Sequence, residues 1–324
     1  MKNMNLIQYL PLSHPKASLQ VVKKLSHFGI MSILDIEDSV QDPFDIKKTI
    51  DLKEDARNNF LNFLYKKNWN NYNFNIPIYI RINSISSNFF DDDISFVKEI
   101  ISNRFPISGV FLPKVESYQH ISYTHELLCG KKNNYIGSKF FFDVIPMIET
   151  VKGVSVLNKI LEIDINNQKF SKVHYGHFDY CQDAEIWPFP DPDHSSFWDL
   201  VKPIISLLCT YNKTYIHTPF PFPNDHNLFW SVANYIQSLY QKCDIWLCSL
   251  NSEISLSQDT ENNILKLKKQ NNSKSFGTDE AKMIIDNFIA GRANKRSFSM
   301  LKDRFIPPHQ YRSAKAYLEN LEKN

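Results

Sequence analysis

The chain has 324 residues, 43% hydrophobic and 22% charged, with a formal net charge of +2. That length and apolar content suit one large domain or two small ones around a full core. Lys and Arg are scattered without a basic block, which argues against a nucleic-acid partner, and no apolar run is long enough to cross a bilayer.

Strand-like and helix-like segments then alternate along the chain. Residues 5–11 (NLIQYLP) read as a first strand, followed by a helix over Lys16–Phe28 with Ala17, Leu19, Val21, Val22 and Leu25 at near-helical spacing. A second strand at 31–36 (MSILDI) precedes a helix at Asp51–Leu64. A third at 77–83 (PIYIRIN) precedes Asp91–Ile101, whose opening Asp91-Asp92-Asp93 suits a helix N-terminus and its dipole. Strand four (109–115, GVFLPKV) leads to a helix at Ser117–Leu128, and strand five (140–148, FFFDVIPMI) to one at Val154–Ile163. Strands six (172–178, KVHYGHF), seven (214–219, TYIHTP) and eight (243–249, CDIWLCS) are followed by helices at Ser195–Cys209, Asn227–Gln241 and Ile254–Lys268. Strand then helix, eight times, predicts a (β/α)8 TIM barrel over residues 1–275. The rival doubly wound sheet expects a Gly-rich first turn, and Pro11-Leu12-Ser13-His14-Pro15 contains no Gly. Residues 276–324 form a C-terminal helical extension, with helix-like stretches at Asp279–Ala290 and His309–Leu321. It is expected to close over the barrel mouth or dock on a neighbouring subunit, which makes a homo-oligomer the expectation.

A barrel gathers its active site at the carboxyl ends of its strands, and here those ends are unusually polar. Glu149 closes the run Met147-Ile148-Glu149-Thr150, and Asp179 closes Gly176-His177-Phe178-Asp179. Two acids at consecutive strand ends converge on one point. Oxygen ligands without nearby Cys or paired His predict a hard cation, Mg2+ (or Mn2+). Arg81, in Arg81-Ile82-Asn83, offers a rigid fork for a substrate carboxylate. A 2-oxo acid chelates such a metal through its carboxylate and keto oxygens, and the metal stabilises the enolate left when a bond at C3 breaks. Glu37 and Asp38 after strand two, and Glu116 after strand four, are placed to order water or relay a proton. Lys114 and Glu116 are the further substrate-binding candidates, and His217 on strand seven is the candidate general base facing the mouth. Each has a plainer alternative. Glu149 and Asp179 taken singly read as helix caps or surface acids, and Arg81 as an ion-pair partner of Glu116 or Asp35. Lys114 reads as a Schiff-base lysine or as one held in an ion pair. Five cysteines (129, 181, 209, 243, 248) without CxxC fit reduced thiols in a cytoplasmic protein, and MKNMNLIQYLPLSHPKAS reads as neither signal peptide nor membrane span.

Five motifs occur together: Asp35-Ile36-Glu37-Asp38-Ser39-Val40, Ile80-Arg81-Ile82-Asn83, Leu112-Pro113-Lys114-Val115-Glu116-Ser117, Ile148-Glu149-Thr150 and Gly176-His177-Phe178-Asp179-Tyr180. In order and spacing the set, over roughly residues 5–220, resembles the HpcH/HpaI aldolase and citrate lyase β-subunit superfamily. The resemblance implies a (β/α)8 barrel, often oligomeric, that makes or breaks carbon–carbon bonds through a Mg2+-bound enolate. It implies that Glu149 and Asp179 hold the metal, that Arg81 holds the substrate carboxylate or carbonyl, and that Glu37 and Asp38 lie near the metal. The expectation is therefore a Mg2+-dependent carbon–carbon lyase or aldolase acting on a small oxo- or hydroxy-acid, with an aldehyde partner. The CoA-dependent branch carries a GKxxIHPxQ stretch at strand eight. Residues 241–250 here lack its His-Pro, and Ile216-His217-Thr218-Pro219 echoes it one strand early. A CoA-thioester lyase or hydrolase of the citrate or malyl type is the alternative within the enzyme class. The alternative outside it, a non-catalytic binding barrel, predicts a broken metal pair, whereas Glu149 and Asp179 are both present.

Overall fold

Eight segments place apolar residues on both faces, as strands do when one face lines a barrel interior and the other meets a layer of helices. In the computed structural model these strands are β1 Asn5–Pro11, β2 Met31–Asp35, β3 Ile78–Arg81, β4 Gly109–Leu112, β5 Asp143–Ile148, β6 Lys172–Tyr175, β7 Thr214–Pro219 and β8 Ile245–Ser249. They pair in parallel and close into a barrel in the order β1-β8-β7-β6-β5-β4-β3-β2. The structure describes residues 5–66, 76–130, 135–136, 140–251, 253, 264–271, 273–291 and 298–323.

The helices are α1 Pro15–His27, α2 Ile46–Tyr65, α3 Phe90–Ser102, α4 Tyr118–Cys129, α5 Val151–Asn167, α6 His177–Asp183, α7 Ser195–Thr210, α8 His226–Leu239, α9 Lys274–Gly291 and α10 Pro308–Lys323. Side chains cap several of them: Asp45 accepts from the N–H groups of Lys47 and Lys48, Thr150 from Gly153 and Asp225 from Leu228. The acidic start of α3 does more than meet the dipole. Asp93 is fully buried, accepts from Asn83 and pairs with Arg57 at 2.8 Å.

Two cores follow from the alternation. Ile7, Tyr9, Ile33, Phe111, Ile145, Met147 and Ile216 fill the barrel, while Leu10, Leu34, Ile80, Val110, Val144 and Tyr215 face the helices. The barrel base is plugged by Asp143 and Lys172, 2.9 Å apart, with the ammonium over the rings of Tyr79 and Trp246. A smaller core of Ala281, Ile284, Phe288, Ile306 and Ala314 joins α9 and α10 to a hairpin of β9 Ser299–Leu301 and β10 Arg304–Ile306. Arg304, held by Asp191 at 3.0 Å and Glu280 at 2.8 Å, ties this extension to the loop after α6.

Three expectations need correction. Strand six ends at Tyr175, so Asp179 stands in the first turn of a short helix rather than at a strand end. Most of the helix expected at Ile254–Lys268 lies outside the described residues, and its described end is not helical, with Lys268 bridging to His194. Cys209 and Cys243 are not reduced. They form a disulfide between the end of α7 and the turn into β8, where the Cα atoms are 5.5 Å apart, within bridging range. Among the described residues no helix is long and apolar enough to cross a membrane.

Candidate active site

Strand alternation decides which strand-end residues reach the barrel interior. On β2 and β3, Ile33 and Tyr79 point inward, so Asp35 and Arg81, two residues on, do the same. Asp35 is built in from both sides. Its carboxylate accepts the N–H groups of Glu37 and Ser39 at 2.9 and 3.0 Å, and grips Arg81 Nε and Nη2 at 2.7 Å each. The remaining Arg81 nitrogen, Nη1, reaches Glu37 and Asp38, both at 3.0 Å. The Tyr9 ring packs against the guanidinium at 4.7 Å. Every degree of freedom of Arg81 is thus spent in orienting it, as a charge-assisted bidentate pair allows. Burial and neighbouring Asp38 push the Glu37 carboxyl up to about 8. Burial acts on Asp38 in the same sense, but Arg81 and His309 hold it below the usual carboxylate range.

Glu149 continues the inward series Ile145, Met147 of β5. Its Oε1 accepts the N–H of Lys114 at 2.9 Å, aimed by a left-handed turn at Lys114 (φ 53°). Its Oε2 is buried and has no hydrogen-bond partner among the described residues. Gly176 makes room for this carboxylate, because a Cβ there would stand 2.2 Å from Oε2. Burial, with Asp179 and Glu37 nearby, raises Glu149 well above the carboxylate range. Asp179 is the opposite case. Burial raises it, yet His309 Nε2 at 3.2 Å and Lys114 Nζ at 3.1 Å hold it well below. One ligand atom each from Asp38, Asp179 and His309 falls within 4.8 Å of the others.

These groups line one cavity of about 420 Å³. Its floor is Tyr9, Asp35, Asp38, Arg81, Glu149, His174, Gly176 and Asp179, and its roof comes from the extension: Phe298, Met300, Phe305, Pro308 and His309. A carboxylate-rich donor set with one imidazole suits a hard divalent cation, and the unpartnered Glu149 Oε2 leaves an acceptor free for it. Glu149 and Asp179 would hold such an ion.

The structure brings Arg81, Asp38, Glu149 and Asp179 together around the cavity, with Glu37 behind Arg81 and Lys114 at the edge on Asp179. It does not bring Glu116 there, since that residue turns outward to Lys152 at 3.0 Å. Nor does it place His217 at the mouth. Ile216 and Thr218 take the inward positions of β7, so His217 faces the helix layer, stacked on Trp198 and bonded to Tyr215 at 3.0 Å. Sequence reasoning missed Tyr9, Gly176 and His309. For the first two the period-2 register of β1 and β6 was the usable signal; His309 had none beyond the helix start behind Pro307-Pro308.

The profile of the HpcH/HpaI aldolase/citrate lyase family matches residues 7–194. The chain belongs to this family. Its matched region carries the Asp35, Arg81, Glu149 and Asp179 elements of the cavity, while the roof lies beyond it. No curated protein matches the chain significantly. Among solved structures, the chain is similar to a citrate lyase β subunit from Mycobacterium tuberculosis complexed with oxaloacetate and magnesium, at 16% identity and TM-score 0.53 over 78% of this chain and 95% of that one. It is also similar to CitE of the same organism in complex with magnesium, acetoacetate and coenzyme A, at 15% identity and TM-score 0.56 over 99% and 100%. A citrate lyase from Burkholderia xenovorans aligns at 13% identity and TM-score 0.58 over 100% and 93%. At such identities these likenesses speak to the fold.

Proposed function

We propose that this HpcH/HpaI family member is a Mg2+-dependent carbon–carbon lyase or aldolase. Its substrate is a small oxo- or hydroxy-acid, cleaved to or condensed from an oxo-acid and an aldehyde. One observation carries the reading. A buried carboxylate oxygen without a partner among the described residues, Glu149 Oε2, shares a cavity with Asp179 and with an arginine already locked in place. Relatives with this fold have been solved with magnesium and with oxaloacetate or acetoacetate, which supports the substrate class.

A divalent cation held by Glu149 and Asp179 would supply positive charge to the oxygens of a 2-oxo acid as electron density gathers there. The chain's own residues do the rest. The Lys114 N–H fixes Glu149, and Lys114 Nζ with His309 fixes Asp179. Asp35 presents Arg81 to the substrate carboxylate without reorganisation during the reaction. Glu37, with its proton retained to about pH 8 and its neighbour Asp38 lining the cavity, is suited to hand a proton to or from the reacting carbon through Asp38. The roof residues Phe298, Met300 and Phe305 cover part of the floor.

The test is proton–deuterium exchange at the pyruvate methyl group in D2O, followed by NMR with Mg2+ and with chelator. Exchange that needs Mg2+ and vanishes in Glu149→Gln, a variant that keeps Oε1 as acceptor for Lys114 N–H, is the expected result. Absence of exchange by protein that demonstrably holds the metal overturns the reading.

A further inference from the structure

Charge in the cavity gathers on its floor and on His309 of α10, away from the hairpin. Among the described lining residues the ionisable groups are Asp35, Asp38, Arg81, Glu149, Asp179 and three histidines, and none belongs to β9 or β10. The hairpin end is apolar: Phe298 and Phe305 stand 5.0 Å apart by ring centroids, Phe178 faces Phe305 at 6.4 Å, and Met300 completes the wall. Phe298, Met300 and Phe305 are only half-buried, the state expected of side chains that face an internal space. The hairpin is fastened to the barrel by the Phe305 N–H to Pro221 at 2.7 Å and by the Arg304 ion pairs.

The floor does not use the whole space. A pyruvate-sized acid has six non-hydrogen atoms, and at less than the roughly 30 Å³ share of a water molecule each it fills under about 180 Å³. The cavity measures about 420 Å³, so more than half remains beyond a pyruvate-sized acid, and the hairpin contributes Phe298, Met300 and Phe305 to its wall. A second carboxylate or a phosphate there would lose its hydration without a counter-charge from the described lining.

We infer that the substrate carries an uncharged apolar group, aliphatic or aromatic, beyond its oxo-acid end, and that Met300 and Phe305 select for it. This rests on the oxo-acid reading of the floor. The C-terminal extension is then a specificity element as well as a cover, and the same barrel floor under a charged roof would take a different acid.

Calorimetric titration with Mg2+ present tests the inference, using pyruvate, 2-oxobutanoate, 2-oxohexanoate, phenylpyruvate and 2-oxoglutarate. Affinity rises along the apolar series, by up to about fourfold per buried methylene, and 2-oxoglutarate binds no tighter than pyruvate. Met300→Ala flattens the series measured against the variant's own pyruvate affinity, and Met300→Lys turns the preference toward 2-oxoglutarate. Both replace a half-buried side chain, and retained pyruvate binding reports that each variant is folded. Pyruvate binding with no gain along the series, or with 2-oxoglutarate tightest in the unmodified protein, overturns the inference alone. Failure of every acid to bind, pyruvate included, overturns the oxo-acid reading and the inference with it.

Discussion

Gly176→Ala is the sharpest probe of the Glu149 carboxylate. The backbone at Gly176 (φ −97°, ψ 89°) accepts alanine, so the variant changes space and not backbone conformation. The new methyl would stand 2.2 Å from Glu149 Oε2 and 2.6 Å from its Cβ, both well inside the 3.4 Å at which ordinary contact begins. Glu149 can move only toward the cavity, at the expense of the Lys114 N–H bond that anchors one of its oxygens. Overpacking of this kind costs about 1–3 kcal/mol of stability, partly offset by about 0.4–1 kcal/mol from the stiffer unfolded chain. The barrel therefore still folds. A misplacement of about 1 Å in a group that positions reacting atoms costs about 100-fold in rate, equivalent to about 2.7 kcal/mol at the transition state. Pyruvate methyl exchange in D2O with saturating Mg2+, on protein shown to be folded by circular dichroism, reads that loss. Glu149→Asp in the same background withdraws the carboxylate from the new methyl and should recover part of the melting temperature. Exchange within about twofold of the unmodified protein would show that the position of Glu149 does not matter to the chemistry, and the argument for the site would fail.

Two further outcomes follow. His217→Phe keeps the ring between Trp198 and Phe197 but strands the Tyr215 hydroxyl, so stability falls by about 1–3 kcal/mol in urea unfolding while turnover stays within about threefold; a folded variant without turnover would return His217 to the chemistry. His125 is buried in α4, and burial with nearby Lys169 lowers it from 6.5 to about 4. The folded state therefore holds it neutral while the unfolded chain takes up a proton below pH 6.5, so its contribution is intact above pH 6.5 and declines as pH falls toward 4. His125→Leu should gain on the unmodified protein by about 1.4 kcal/mol for each pH unit across that window, and parallel stability curves would contradict this.

The fold and half the site were legible because they depend on short-range pattern. Glu149 and Arg81 end apolar runs in which every second residue points inward, so their side chains inherit the direction of Met147 and Tyr79. The same rule misplaces His217 by one residue unless the register of β7 is known, and a one-residue slip exchanges the two faces. Helix α6 has seven residues, too few for a period to show, and so Asp179 was read as a strand end. His309 reaches Asp179 across 130 residues of chain, and the Cys209–Cys243 bridge spans 34. Neither juxtaposition leaves a trace in local sequence. The hairpin that roofs the cavity has strands of three residues each, which is below the length at which alternation is visible.

The charge arithmetic of the floor ties these pieces together. Asp35, Glu37, Asp38, Glu149 and Asp179 contribute five acidic groups. Arg81, Lys114 and the buried Lys53 lie among them, and Asp179 favours the protonated form of His309. Burial and the neighbouring acids raise both Glu37 and Glu149. A divalent cation would add positive charge to this group of acids. The five acids are therefore not redundant. Asp35 serves to hold Arg81, Asp38 connects the arginine to the cavity, and Glu149 with Asp179 offers the opening. His309 makes the arrangement depend on the extension. Without α10 over the mouth, Asp179 would lose His309 at 3.2 Å and keep Lys114 at 3.1 Å, so the extension contributes a residue to the charged site as well as a cover.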